Sequence, residues 1–471
     1  MMLTTFSLRL RIFLLFLGLT AVTWGAVSLS LYVGFLRTEV TGVGSGFLFA
    51  GILANFGTLA VFALFWLLFD ENVAKPIERI AAAMRTRAHA GVEVSVDHHE
   101  ARYLGDLAPA VSAVTGELSK VSDGAEDIVA EETARLNAER AHLALLLTEI
   151  PVAIVLVSPT HQIMLYDGQA ADVLGQVHVP RLSASIFDYF SEDELRKACE
   201  QLTDKRREVE ADVHGTRGNL TFKLRLKKLS QASGYMILID NTSARIAPDA
   251  ARPLIYDFDL EVQDSERAFE NRPLQEMSFT VFDTETTGLM PNKDEIVQIG
   301  AVRVVNGRIV PGEEVDQLVN PGRPIPLASS KVHGITDEMV TDAPEALDAV
   351  EDFHGFARDS VIVAHNAPFD MAFLHRYGKV LGLDWDHPIL DTVLLSAVVF
   401  GANEEHTLDA VCLRLGIKIR PEVRHTALGD AEATAEALCK LLPILASRGY
   451  KTFGEVIQET RKHGRLLKDM N

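Results

Sequence analysis

Cysteine is scarce in this chain. There are three in 471 residues, Cys199, Cys412 and Cys439, scattered and without a C-x-x-C pair. That excludes a disulfide framework or a paired-cysteine redox or metal motif and suits a reducing compartment. Basic residues are short as well: 45 Lys and Arg stand against 65 Asp and Glu, a formal net charge of −20. A protein that grips duplex nucleic acid along its length neutralises many phosphates with Lys and Arg. This composition excludes that mode of binding.

Charge of either sign is missing from two long stretches, Ile12 to Leu36 and Thr41 to Phe69. Each exceeds the roughly 20 apolar residues that a bilayer crossing needs. Only Arg37, Thr38, Glu39 and Val40 separate them, so residues 1–70 read as a tight transmembrane helical hairpin. Arg9 and Arg11 precede the first span, and Lys75, Arg79, Arg85 and Arg87 follow the second. Positive flanks on both outer ends predict a multi-pass protein of the inner (cytoplasmic) membrane with the remaining chain in the cytoplasm. A cleaved signal peptide is the alternative for the first span, and the second would then still stop transfer.

What is present is carboxylate, in a pattern. The stretch VFDTETTGL, Val281 to Leu289, sets Asp283 and Glu285 two residues apart at the end of an apolar run. In a strand such residues project from one face. Adjacent carboxylates repel unless a cation lies between them, and hard divalent ions take oxygen ligands of this kind. A second motif, VIVAHNAPFD, reads as a short buried strand, a turn with Asn366 at the N-cap, and a helix bearing Asp370 in its first turn. A third, HTALGDAEATAEAL, opens on His425, reaches Asp430 five residues later and continues as an Ala-rich helix. Asp283, Glu285, Asp370 and Asp430 form a set that two-metal phosphoryl chemistry can use. His425 reads as the general base, since histidine is the side chain whose unperturbed pKa lies close to working pH.

These motifs, in this order, resemble the DEDDh branch of the 3′–5′ exonucleases, which includes the epsilon proofreading subunit of bacterial DNA polymerase III. EIVQIGAVRV, VHGIT at Val332 to Thr336 and HTLDAVCLRLGI add to the resemblance, which spans residues 276–450. The tyrosine branch would place Tyr where Thr426 stands. The resemblance implies a ribonuclease-H-like α/β fold with a mixed sheet, strands near 278–284, 296–305 and 308–318, and helices near 369–381, 407–415 and 430–446. It implies two divalent ions, Mg²⁺ or Mn²⁺, on Asp283, Glu285, Asp370 and Asp430, with His425 as general base. It also implies a nucleic acid 3′ end as substrate, gripped around Thr286, Thr287 and Leu289. His365 and Asn366 read equally as substrate contacts or as turn and cap residues. Phe369 reads as a stacking residue or as core, and His333 as structural. Lys418, Arg420 and Arg424 form a small basic group before His425, read first as solvated surface and second as a phosphate contact.

Between membrane and nuclease, residues 71–122 are similar to a HAMP linker: ENVAKPIERIAAAM with Ile77, Ile80 and Met84 on one helical face, a connector, and a second amphipathic helix from Tyr103 to Leu118. Residues 123–140 continue as a charged connecting helix. Residues 141–243 are similar to a PAS domain, a smaller α+β fold, with EIPVAIVLVSPTHQIMLYDGQAADVLG as its opening and LTFKLRLKKL and GYMILIDNTS as later strands. No PAS ligand is legible, and homodimerisation through the HAMP-like and PAS-like parts is the partner expectation. Residues 244–275 read as a linker interrupted by the apolar LIYDFDL, expected to pack on a neighbouring domain, and 451–471 as a C-terminal tail.

The order resembles a sensor histidine kinase whose output has been replaced, since no phosphoacceptor-His box or glycine-rich kinase ATP site follows. Two function classes follow: a membrane-anchored, metal-dependent 3′–5′ exonuclease acting on single-stranded ends, DNA favoured, or a signalling and nucleic-acid-binding module with little turnover. The complete set of acidic groups with His425 favours the enzyme.

Overall fold

The computed structural model describes residues 8–37, 43–90, 102–104, 110–111, 153–217, 220–229, 234–239, 255–256 and 268–471. They belong to two compact units, Met1–Gly124 and Ala125–Asn471.

In the first unit, α1 (Leu8–Leu36) and α2 (Gly44–Phe69) are long and apolar enough to cross a membrane by length and composition. They pack as an antiparallel pair, with Phe13 against Trp66 at one end and Phe35 against Phe47 at the other. Asn55 donates to Ser28 Oγ (3.0 Å), and Arg9 forks onto Asp70 through two 2.6 Å bonds. A π-helical turn, Asp70–Ala74, leads into α3 (Lys75–Ala90). Ile80 is buried beside Val111 and Leu104, whereas Met84 is exposed. Most of the second HAMP-like helix, and all of the connecting helix, lie outside the described residues.

The second unit opens with an antiparallel sheet built from β1 (Ala153–Val157), β2 (Ile163–Tyr166), β3 (Glu208–His214), β4 (Thr221–Lys228), β5 (Tyr235–Ile239) and β6 (Ile255–Tyr256), in the order β3-β4-β5-β1-β2-β6. Helices α4 (Gly168–Leu174) and α5 (Glu192–Glu200) fill the connection between β2 and β3. Asp167 caps α4 by accepting from Ala170 N at 2.7 Å. The apolar interruption of the linker supplies β6, which pairs with the β2 edge through Leu165↔Tyr256 and Tyr166↔Ile255. That pairing covers an edge that would otherwise expose unpaired backbone groups.

A second, mixed sheet follows: β7 (Ser278–Thr286), β8 (Ile296–Val305), β9 (Arg308–Leu318), β10 (Val361–Ala364) and β11 (Ile389–Asp391), in the order β11-β10-β7-β8-β9. β7, β8 and β9 form an antiparallel meander, while β10 runs parallel to β7 and β11 parallel to β10. β8 is buried along its whole length, which fits its mostly apolar sequence, broken by Gln298 and Arg303. The carboxyl ends of β7, β10 and β11 therefore open at one rim, where ligands bind in open α/β sheets. Around the sheet lie α6 (Leu327–His333), α7 (Asp337–Val340), α8 (Ala346–Ala357), α9 (Ala367–Leu381), α10 (Thr392–Phe400), α11 (Leu408–Arg414), α12 (Ala427–Ser447) and α13 (Phe453–Thr460). Part of the segment expected as a tail is thus α13, opened by a Thr452/Glu455 capping box.

The two sheets of this unit share a core. Val305 and Val310 of the β8–β9 hairpin pack into the apolar cluster of the first sheet. A buried polar joint lies beside them. Glu313 accepts from Tyr166 Oη (2.8 Å) and from the Leu182 amide, and pairs with Arg303 at 3.3 Å. Arg303 also donates to the Leu182 carbonyl (3.1 Å). Arg181 donates to the Arg358 carbonyl (3.0 Å) and pairs with Asp188, which Arg358 reaches from the side of the second sheet at 3.2 Å.

Candidate active site

Alternation along β7 puts Asp283 and Glu285 on one face and the buried Thr284 and Thr286 on the other. Asp430 joins them from the first turn of α12. Ligand atoms of Asp283, Glu285 and Asp430 lie within 4.8 Å of one another.

Three features bring α12 to the sheet. Gly300 of β8 lies opposite Asp283 in the ladder. A Cβ there would stand 2.1 Å from both Ala427 C and Leu428 N, so the missing side chain admits the helix backbone. Gln298 accepts from the Ala427 amide (3.1 Å) and donates to Asp316 (2.6 Å). Thr426 caps the helix, its hydroxyl accepting from Gly429 N at 3.1 Å.

Asp370, in the first turn of α9, stands outside that trio of ligand atoms. Its Oδ1 accepts from Thr284 Oγ1 (2.6 Å) and from Thr284 N (3.1 Å). Asn366 occupies the N-cap of α9 with a left-handed backbone (φ 74°), but its side chain makes no capping bond. The cap comes from Asp391, whose carboxylate accepts from Ala367 N (2.7 Å) and Asn366 N (3.4 Å). This corrects the expectation that the Asn366 side chain caps the helix. The acceptor that caps α9 is 24 or more residues away in sequence, out of reach of local capping rules.

The electrostatics are those of carboxylates crowded out of water. Burial, then Asp370, Glu285 and Asp430, push Asp283 well above the usual carboxylate range. Burial, then Asp430 and Asp370, raise Glu285 to about 8. Burial lifts Asp370 to about 7 against the opposing pull of the Thr284 bonds. Burial also raises Asp430, with Arg424 opposing it. The donors are all oxygen and mutually repelling, which fits a hard divalent cation.

His425 lies at the mouth of this cluster, exposed, with a left-handed backbone (φ 62°). Its Nδ1 is 3.9 Å from Asp430 Oδ2 and accepts from Arg424 Nη1 at 3.1 Å. Left-handed residues other than glycine store about 1–3 kcal/mol of strain, and both His425 and Asn366 flank this cleft. Arg424 is a correction to the reading as solvated surface: it pairs with Asp430 and forks onto Asp409 at 3.0 and 3.1 Å.

The remaining candidates divide. Leu289 is 83 % exposed on the β7–β8 loop, free to meet a ligand. Arg376 braces that loop by donating to the carbonyls of Pro291 (2.7 Å) and Asp294 (2.8 Å), and Arg376 and Tyr377 both hold Glu295. Thr286 donates to the Gly288 carbonyl (2.8 Å). The Thr287 amide is spent on the Glu295 carbonyl (2.8 Å), so it is not a free donor to a substrate. His365 is held by Thr392 (2.9 Å), and burial lowers its pKa to about 4. Phe369 packs edge-on to Phe373, and His333 is buried, accepting from the Ile335 amide at 3.1 Å. Sequence reading assigned no role to Gly300, Gln298, Asp391 or Asp409. An isolated glycine inside an apolar strand was the available signal for Gly300.

Comparison with known proteins places this arrangement. The exonuclease family RNase_T matches residues 280–438. A DNA polymerase III subunit epsilon-like protein of Rhodobacter capsulatus is 33% identical, with 99% of this chain and 99% of that protein covered. The chain belongs to the DNA polymerase III subunit epsilon-like family. Its exonuclease domain makes it a nuclease hydrolase acting on nucleic acid. The PolC-type DNA polymerase III of Thermotoga maritima is 39% identical over 38% of this chain, but the chain spans only 13% of that polymerase. Among solved structures, exonuclease X in complex with 5′ overhanging duplex DNA covers 39% of this chain and 99% of its own at 27% identity and a TM-score of 0.31. E. coli exonuclease I in complex with a dT13 oligonucleotide covers 37% of this chain and 42% of its own at 19% identity and a TM-score of 0.34.

Proposed function

We propose that this family member is a membrane-anchored, metal-dependent exonuclease that removes nucleotides from the 3′ end of single-stranded nucleic acid, DNA in preference. The convergence of Asp283, Glu285 and Asp430 within 4.8 Å carries the reading. Asp283, Glu285, Asp430 and, after release from Thr284, Asp370 would hold two divalent ions, Mg²⁺ or Mn²⁺. Ions bound there supply Lewis-acid charge to a phosphodiester. The work of the chain itself is distinct. The carboxylates orient the reacting phosphate by fixing that charge, and His425 takes the proton of the attacking water at Nδ1, the ring nitrogen that carries the lone pair when it accepts from Arg424. Leu289 offers an apolar contact to the terminal nucleotide. The net charge of −20 restricts binding to a short single-stranded end rather than a long duplex track.

The anchor is the hairpin of α1 and α2, supported by its uncharged spans and basic flanks. The catalytic unit is then cytoplasmic. A PAS-like reading of the first sheet of the second unit is supported by the run from β1 through β2 to α4 and Gly175, with β4 and β5 in the same sheet. With the amphipathic α3 beneath the spans, this favours a HAMP-like and PAS-like regulatory part that pairs two copies.

End dependence is tested with oligonucleotides blocked at either terminus. The reading requires that a 3′ block stops digestion and a 5′ block does not; the reverse, or internal cuts in both, rejects it. Anchoring is tested by carbonate extraction of membranes, where release of the full chain into the supernatant would reject the hairpin as a transmembrane element.

A further inference from the structure

Arg424 makes an unusual division of its guanidinium. Nε and Nη2 fork onto the carboxylate of Asp409 on α11, at 3.0 and 3.1 Å. The remaining nitrogen, Nη1, reaches into the site and touches both Asp430 Oδ2 and His425 Nδ1. An arginine stays protonated at any working pH, so Nη1 donates to both. Asp430 is therefore bonded on each oxygen, since its Oδ1 also accepts from the His425 amide (3.4 Å).

We propose that Arg424 is an exchangeable internal cation: it competes with divalent metal for Asp430 and, held by Asp409, turns Nη1 to a substrate phosphate once the metal is bound. The inference rests on the metal-dependent reading above. Two positive groups on one carboxylate oxygen repel, so metal at Asp430 displaces Nη1. The Asp409 fork keeps the displaced arginine at the rim, with one donor unspent beside the proton acceptor His425. A guanidinium presented this way suits a phosphate oxygen.

The exchange predicts opposed signs in one substitution. In the full chain in detergent micelles, Arg424→Gln should tighten Mn²⁺ binding about fivefold by calorimetry without substrate. The same variant should raise KM for a 5′-labelled oligo-dT about tenfold. Arg424→Lys keeps the charge but cannot hold Asp409 and reach inward together, so its Mn²⁺ affinity should fall between wild type and Gln. Arg420→Gln, which removes a nearby exposed cation, should leave Mn²⁺ affinity within about twofold. Unchanged or weaker Mn²⁺ binding in Arg424→Gln overturns the proposal, as does an equal tightening in Arg420→Gln. Failure of the wild type itself to bind Mn²⁺ removes the metal-dependent reading beneath it.

Discussion

Gly300 stands directly across the β7–β8 ladder from Asp283, and its bare Cα is the seat of the helix that delivers Asp430. Asp430 is therefore brought to Asp283 and Glu285 by a close backbone contact, which the Gln298 bond to the Ala427 amide supports. Gly300→Ala would drive a methyl group to 2.1 Å from the Ala427 carbonyl carbon. The expected result is a loss of about 1–3 kcal/mol in stability and at least about a tenfold loss in kcat, since Asp430 is displaced. Thermal melting and single-turnover kinetics of the variant check both.

The polar joint between the two sheets makes a second demand. Arg303 and Glu313 are both fully buried, and burial lowers the pKa of the first and raises that of the second. Such a pair adds little net stability, but removing one partner strands the other. Glu313→Leu should cost about 3–5 kcal/mol in urea unfolding of the full chain, and Arg303→Met paired with Glu313→Leu should recover most of it. A double variant as unstable as the single one contradicts this account of the joint.

The crowded carboxylates fix a pH dependence. Glu285 has its folded pKa raised to about 8 and Asp370 to about 7, with Asp283 raised as well. A raised carboxylate contributes stability that is complete below its unfolded pKa and is lost as pH rises through the folded value. In EDTA the melting temperature of the full chain should therefore fall from pH 5 to pH 8 as these groups lose their protons. Mn²⁺ should restore it most strongly at pH 8. A melting temperature that rises over that range in EDTA would count against the cluster.

Charge relief and catalysis should part company at Asp283. Asp283→Asn removes a carboxylate that its neighbours repel, so the EDTA-treated variant should melt higher than wild type at pH 8. Its exonuclease rate should drop at least about 10²–10³-fold. A variant that loses both stability and activity would show that Asp283 holds the fold instead.

Legibility in the sequence followed locality. β7 was readable because an apolar run ends in the alternating Asp283-Thr284-Glu285-Thr286, and β8 because a mostly apolar run reports burial on both faces. Helices α9, α11 and α12 carry their signals within a few residues, as Pro368, Thr407 and Thr426 do at their starts. β3 was missed because its exposed positions, Glu208, Glu210, Asp212 and His214, leave only Val209 and Val213 buried. Asp391 capping α9, Arg424 reaching Asp409, and Arg303 meeting Leu182 were not legible, because each joins segments that only the fold brings together. For the same reason, modules read as separated by a linker prove to share a core through Val305 and Val310.

The most direct test of the central claim uses the full chain in detergent with Mn²⁺, a 5′-labelled single-stranded oligonucleotide, and an Asp283→Ala, Glu285→Ala double variant. The account predicts a ladder that shortens from the 3′ end, absent in the double variant and in EDTA. An intact oligonucleotide with folded wild-type protein, or a ladder that survives in the double variant, would contradict it.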